Sequence, residues 1–259
     1  MRIARFTPPQ AISASPLFGI INGEEIEILT GDPLYSGINK TGEKVALDKV
    51  KLLAPVIPRS KVVCVGKNYA DHAKEMDSVV PEQPVIFIKP NTSVIGPEDA
   101  IVWPGMSQRV DHEAELAIVI GRICKDVPKE RVKDVIFGYT IGNDVTARDL
   151  QKVDGQWSRA KGFDTFCPLG PWIETELDPN DLAISAAVDG ELRQSDRTSS
   201  MIFDIPTIIN FISQVYTLLP GDVILTGTPA GVGMIPIGST VSITIEGIGT
   251  LSNKAVKHG

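Results

Sequence analysis

Residues 109–121 read RVDHEAELAIVIG, and this stretch constrains the fold more than any other. Its apolar part, LAIVIG, is short and lacks polar alternation, the pattern of a strand buried on both faces. Side chains alternate across a strand, so Glu113, Glu115, Ala117 and Val119 share one face and Ala114, Leu116, Ile118 and Ile120 the other. At a rise of about 3.3 Å per residue, the two glutamate Cβ atoms lie about 7 Å apart. Two such carboxylates repel. Burying them unpaired is costly or forces one to hold a proton. By itself a Glu-x-Glu pair reads as a solvated strand end. Leading straight into a doubly buried run, it reads as a pair converging on a cation.

A hard cation needs further oxygen ligands. FGYTIGNDVTARDLQ, residues 137–151, offers Asp144, at the end of an extended run and ahead of a helix. Judged alone, Asp144 reads equally as a helix cap. Thr146 and Asp149 form a Thr-x-x-acid relative of the capping box that would start that helix, which leaves Asp149 outside the site. Three carboxylates without His or Cys suit Mg²⁺ or Mn²⁺, with water or substrate completing an octahedron.

The chain has 259 residues, 42% hydrophobic and 22% charged, the profile of a globular protein with one large domain or one domain and a small partner. Its net charge of -7 argues against nucleic acid or an anionic membrane as partner, since both want a basic face. A small anionic substrate remains compatible, because a local site can be basic on an acidic protein. No apolar run is long enough to span a bilayer, and MRIARFTPPQ lacks a signal sequence's apolar stretch. Three widely spaced cysteines, Cys64, Cys124 and Cys167, make neither a disulfide framework nor a zinc set, so a cytoplasmic location is expected. The three histidines are also too scattered for zinc, and His112 reads as a residue that supports a ligand or the structure and not as a ligand itself.

The first fifty residues read as short strands, MRIARFT, LFGIING and EEIEIL, separated by turns. Pro55 and Pro58 forbid regular pairing, which puts a boundary near residue 58: a small N-terminal β domain over 1–58 and a larger domain over 59–259. In the larger part KVVCVG and PVIFIKP read as strands, and the Asp-Gly in AISAAVDGELRQ reads as a hairpin. STVSITIEGIG alternates, with Val241, Ile243 and Ile245 on one face. Two helices are expected. One is PKERVKDVIFG, from Pro128 to before Gly138. The other is IPTIINFISQVY, with Ile205, Ile208, Ile209, Ile212 and Val215 on one stripe. Many strands and few helices make the fold class α+β, strand-rich, built on a β-sandwich or roll.

Four blocks, DHEAELAIVIG, GYTIGNDVTARDLQ, KGFDTFCPLGPW and LTGTPAGVG, stand in the order found in the fumarylacetoacetate hydrolase family. GKNYADHAKE resembles the catalytic-loop segment of that family's smaller members. The likeness runs from about residue 60 to 250 and is to the short members: acylpyruvate hydrolases, oxaloacetate decarboxylases and hydroxyheptadienedioate isomerases. It implies the family's mixed β-sandwich roll and a homodimer. It also places Glu113, Glu115 and Asp144 on the family's metal-ligand positions, in agreement with the charge argument.

By the same resemblance Lys161 approaches metal and substrate, where its charge offsets the carboxylates; alone it would read as a surface lysine. Thr165 falls where a metal-bound water would be held. Arg148 and Gln151, three apart on one helix face, match residues that hold substrate oxygens; either alone reads equally as part of a solvated face. DVILTGTPAGVG lacks the Gly-Lys-Ser/Thr of a phosphate loop and reads as a tight turn. The resemblance gives its backbone and Thr228 to the substrate. His72 and Glu75, spaced i, i+3, can meet on a helix, where the carboxylate fixes the imidazole tautomer and raises its basicity. The resemblance makes them a catalytic dyad and not a surface contact.

The expected activity is divalent-metal-dependent cleavage of a C–C bond beside a carbonyl in a small anionic α-keto acid, through a metal-stabilised enolate. Oxaloacetate decarboxylation and acylpyruvate hydrolysis both fit. The alternative is an isomerase or tautomerase of 2-hydroxyhepta-2,4-diene-1,7-dioate in aromatic catabolism.

Overall fold

The computed structural model describes residues 1–10, 12–75 and 79–258. Strand Ala114–Ile120 lies in its middle, as the doubly apolar run requires. Ala114, Leu116, Ile118 and Ile120 face one apolar cluster, Ala117 and Val119 another, and all six are fully buried. Both neighbouring strands are antiparallel. Ile136–Asn143 lies on one side, with Ala114 opposite Asn143, and Val223–Leu225 on the other.

These strands belong to a mixed twelve-stranded sheet. From Ala114–Ile120 it continues through Val223–Leu225 to Val62–Gly66, a parallel neighbour, and Val85–Lys89. In the other direction it runs through Ile136–Asn143 and Cys167–Glu174 to Arg2–Thr7, Leu17–Asn22, Glu25–Leu29 and Lys40–Ala46. The N-terminal strands enclose a cluster of their own around Phe6, Ile26 and Ile28, and Arg2 pairs opposite Glu174. After Leu53 the chain passes Pro55 and Pro58 and re-enters the sheet at Val62.

A second sheet of five strands, Glu191–Arg197, Ala183–Val188, Thr240–Ile245, Gly249–Lys257 and Ile101–Trp103, packs on the large one. Ile184, Val241, Ile243 and Ile245 meet Leu116, Ile118 and Ile120 in one cluster, which is the interior of a sandwich. Helix Ile205–Val215 closes this cluster with Ile205, Ile208, Ile209 and Ile212, and Asp204 caps it by accepting from Thr207 N. The expected strand-rich α+β sandwich is therefore the fold found. The hairpin turn is also as expected: Asp189 and Gly190 both have positive φ, 49° and 82°, the primed turn that matches strand twist. No helix among the described residues is long and apolar enough to cross a membrane.

Two expected elements differ. The helix from Pro128 is only a 3-10 segment, Lys129–Asp134, because Ile136, Phe137 and Gly138 already belong to the strand paired with Ala114–Ile120. The capping box at Thr146 and Asp149 does not form. Thr146 and Ala147 pair with Asp111 and Val110 as a short strand, and helix Arg148–Asp154 starts without a side-chain cap. Asp149 instead accepts from Ser107 Oγ (2.7 Å) and Gln108 N (2.8 Å).

Candidate active site

Sheet register assembles the acidic cluster. Glu113 sits at the joint between strands Val110–His112 and Ala114–Ile120, and Asp144 follows directly after Asn143, which stands opposite Ala114. Asp144 N donates to Glu113 O (3.0 Å), and Glu113 N to Asn143 Oδ1 (3.0 Å). Glu115 points the same way and accepts from Gly227 N (2.7 Å). Carboxylate oxygens of Glu113, Glu115 and Asp144 all lie within 4.8 Å of one another, and all three residues are buried.

Cations surround two of the three. Lys161 Nζ bridges Glu113 Oε2 (2.7 Å) and Asp144 Oδ2 (2.6 Å). Lys89, completely buried, donates to Asp144 Oδ1 (2.6 Å) and to the Val145 carbonyl (3.1 Å). Arg148 holds Glu113 Oε1 (2.5 Å) through Nη2, Asp111 Oδ2 (3.0 Å) through Nε and Gln151 Oε1 (2.7 Å) through Nη1. Among the described residues Glu115 forms no ion pair.

The electrostatics follow. Burial would raise the Glu113 carboxyl, but Lys161, Arg148 and His72 outweigh it and hold Glu113 well below the usual range. Burial, with Asp144 and Glu113 beside it, pushes Glu115 well above that range. Lys161 stays charged, because Asp144 and Glu113 outweigh the burial that would lower it. This donor set is oxygen only, buried, and has one arm that must keep a proton or meet a cation. It fits a hard divalent ion held by Glu113, Glu115 and Asp144.

The triad lines a cleft of about 190 Å³ together with His72, Arg148, Gln151, Lys161 and Thr228, with Phe87 and Trp157 among its walls. His72, on helix Ala70–Glu75, has Nδ1 3.2 Å from Glu75 Oε2, as the i, i+3 spacing predicts. Glu75 also accepts from Gly231 N (3.1 Å to Oε1), which ties the dyad to the Gly-rich loop. That loop needs its glycines. Gly227 has φ 97°, and a Cβ there would lie 2.6 Å from Asn68 Cβ.

The structure thus brings Glu113, Glu115, Asp144, Arg148, Gln151, Lys161, Thr228 and His72 to one cleft, and Glu75 reaches it only through His72. Thr165 lies elsewhere: its hydroxyl accepts from Val102 N (2.9 Å), and it lines a separate depression with Pro104 and Met106. Its hydroxyl is held by the strand Ile101–Trp103 and not by the acidic cluster. His112 is buried, with Nδ1 3.0 Å from Gln194 Oε1, and burial lowers its pKa. Sequence reasoning missed Lys89, Asp111 and Gln194. A lysine closing the apolar strand PVIFIKP was the only signal for the first.

A two-sheet sandwich with a buried oxygen-donor cluster in a basic cleft defines a class, the strand-rich α+β enzymes of the fumarylacetoacetate hydrolase type. The model of the fumarylacetoacetate (FAA) hydrolase C-terminal family matches residues 61–256, and an Rv2993c-like N-terminal model matches residues 1–55. The chain belongs to the fumarylacetoacetate hydrolase family. It is 52% identical to the 2-hydroxyhepta-2,4-diene-1,7-dioate isomerase structure from Mycobacterium marinum, covering 100% of this chain and 99% of that one at a TM-score of 0.91. It is 46% identical to the oxaloacetate tautomerase Fahd2a, mitochondrial, of Rattus norvegicus, covering 80% of this chain and 70% of that protein. The maleylpyruvate hydrolase of Sphingobium sp. SYK-6, solved with manganese(II) and pyruvate, is 32% identical over 100% of both chains, with a TM-score of 0.83.

Proposed function

We propose that the chain is a Mg²⁺- or Mn²⁺-dependent enzyme that breaks a C–C bond beside a carbonyl in a small α-keto acid, by decarboxylating oxaloacetate, hydrolysing an acylpyruvate, or both. The observation that carries this reading is the oxygen-only triad within 4.8 Å, set in a cleft with Lys161, Arg148 and a His-Glu dyad. A relative solved with manganese(II) and pyruvate supports it. The cleft's volume, about 190 Å³, is below the about 300–1,000 Å³ of sites for drug-sized ligands, which suits an acid of few carbons.

When bound, a divalent ion supplies Lewis acidity to the substrate's carboxylate and 2-oxo oxygens. The chain's own groups do the rest. Gln151 gives its Oε1 to Arg148, so its amide N–H groups are left for substrate oxygens. Lys161 spends two N–H bonds on Glu113 and Asp144 and keeps a third for the negative charge that develops as the bond breaks. Glu75 fixes the proton of His72 on Nδ1, which leaves Nε2 as base. For an acylpyruvate, His72 takes a proton from water, whose oxygen adds to the far carbonyl. The same proton returns to the carbon released when the C–C bond breaks. For oxaloacetate carbon dioxide leaves without a nucleophile, and only the final protonation remains.

The second reading is an isomerase or tautomerase, favoured by the likeness to the rat oxaloacetate tautomerase and the M. marinum isomerase. It asks the same dyad to move a proton between carbon and oxygen, with no bond between carbons broken. Proton NMR of oxaloacetate and acetylpyruvate incubated with the protein, in Mg²⁺ and in EDTA, tests both. Metal-dependent release of pyruvate supports cleavage. Enol–keto interconversion without pyruvate supports the second reading, and no metal-dependent change in either acid overturns both.

A further inference from the structure

Gln194, on strand Glu191–Arg197 of the smaller sheet, is completely buried between the triad strand and the Gly-rich loop. Four contacts fix its amide. Oε1 accepts from Ala114 N (3.0 Å) and stands 3.0 Å from His112 Nδ1. Nε2 donates to the Pro229 carbonyl (2.7 Å) and to Thr228 Oγ1 (2.8 Å). Two of these partners have no choice of role. A backbone N–H only donates and a carbonyl only accepts, so the amide cannot turn over without losing both bonds. The other two roles follow. His112 carries its proton on Nδ1, and Thr228 Oγ1 accepts.

A hydroxyl has one proton to give. Because Thr228 accepts from Gln194, that proton is not spent on Gln194, and no other protein acceptor holds it among the described residues. Thr228 is buried but lines the cleft beside Glu113, Glu115 and Asp144.

We propose that Gln194 is a positioning residue that turns the Thr228 hydroxyl proton into the cleft, as a donor to an anionic oxygen of the substrate. The inference rests on the α-keto acid reading above. Its physical content is a choice of polarity. With the amide reversed, Thr228 would give its proton to Gln194 and show lone pairs to an anion. The same side chain holds Ala114 N, the peptide between the two glutamates, so one amide sets the Thr228 donor against the triad.

Binding of pyruvate to the Mn²⁺-saturated protein, followed by calorimetry, tests the proposal. Thr228→Val is expected to weaken pyruvate about ten- to a hundredfold, the range for a hydrogen bond to a charged group. Thr228→Ser, which keeps the hydroxyl, is expected to stay close to wild type. Gln194→Met is expected to weaken pyruvate as well, and the Thr228→Val/Gln194→Met double variant to bind no worse than Thr228→Val. Multiplied losses in the double variant would show that Gln194 acts apart from Thr228 and would overturn the proposal. Gln194→Met unpairs Ala114 N and can fail to fold, so a second measurement uses the unaltered protein. Nitrogen-15 NMR of the histidine rings, assigned by replacing His72, His112 and His258 in turn, is expected to show His112 as the Nδ1–H tautomer. An Nε2–H tautomer reverses the amide and overturns the proposal. Absence of pyruvate binding by wild type would count against the α-keto acid reading instead, and the tautomer then decides the orientation of Gln194 alone.

Discussion

Glu113 and Glu115 stand two residues apart, yet their carboxyls are pushed in opposite directions, because Lys161 and Arg148 bond directly only to the first, while burial and the neighbouring Asp144 and Glu113 prevail at the second. A carboxyl raised on folding takes up a proton, so its contribution to stability is lost as pH rises from its unfolded pKa, near 4.5, through its folded one. Glu113 does the reverse: its depressed pKa adds stability that is present above about 4.5 and lost as pH falls. Glu115→Gln is therefore expected to raise the Tm of the metal-free protein, and by more at pH 7.5 than at pH 5, while Mn²⁺ no longer raises it further. Thermal melts across that range in EDTA and in Mn²⁺ check this, and a lower Tm in EDTA at pH 7.5 would refute it. At Lys161, Lys161→Met keeps the stem and removes the charge; turnover is expected to fall far more than Mn²⁺ affinity. A loss confined to Mn²⁺ affinity would mean that the lysine serves the ion and not the substrate. Glu113 and Glu115 were legible at this scale, since two acids heading a buried strand demand a partner, whereas Asp144 alone read equally as a helix cap and stood out only through the family resemblance. Lys89 was not. A lysine at a strand end normally reaches water, and only its contacts with Asp144 Oδ1 and the Val145 carbonyl make it a buried group.

Among elements, strand Ala114–Ile120 carries both the core and the site. Leu116→Ala removes a fully buried side chain from the cluster between the sheets. It is expected to cost about 2–5 kcal/mol of stability, read from urea unfolding. A value below about 1 kcal/mol would contradict the packing described, because even Ile→Val changes in a core typically reach that range. The alternation of this strand was readable from sequence, as were helix Ile205–Val215 and the Asp189–Gly190 hairpin, because each rests on local periodicity or turn chemistry. The 3-10 segment Lys129–Asp134 was misread because Val132 and Val135 mimic a helical stripe, while the pairing of Ile136 with Ile120 is a long-range fact. The pairing of Thr146 with Asp111 defeated the capping box for the same reason.

At the scale of the whole molecule, two sheets that share one core bring Gln194 from the smaller sheet against Ala114 of the larger, and the Gly-rich loop against Glu115 and Glu75. None of these contacts has a local sequence signal, since the partners lie in separate strands and loops. An acidic chain, net -7, thereby gathers Lys89, Lys161 and Arg148 around one buried carboxylate cluster. His72→Ala is expected to lower acylpyruvate hydrolysis by about a hundred- to ten-thousandfold, the usual contribution of a general base. Oxaloacetate decarboxylation is expected to fall less. Equal losses of kcat on the two acids would give the dyad a step common to both. Calorimetric titration of Mn²⁺ into the unaltered protein, Glu113→Gln and Glu115→Gln shows whether the Glu113–Glu115–Asp144 cluster holds a divalent ion. One ion per chain is expected in the unaltered protein and far weaker binding in both variants with the fold retained; wild-type affinity in either variant would mean that no ion is held there.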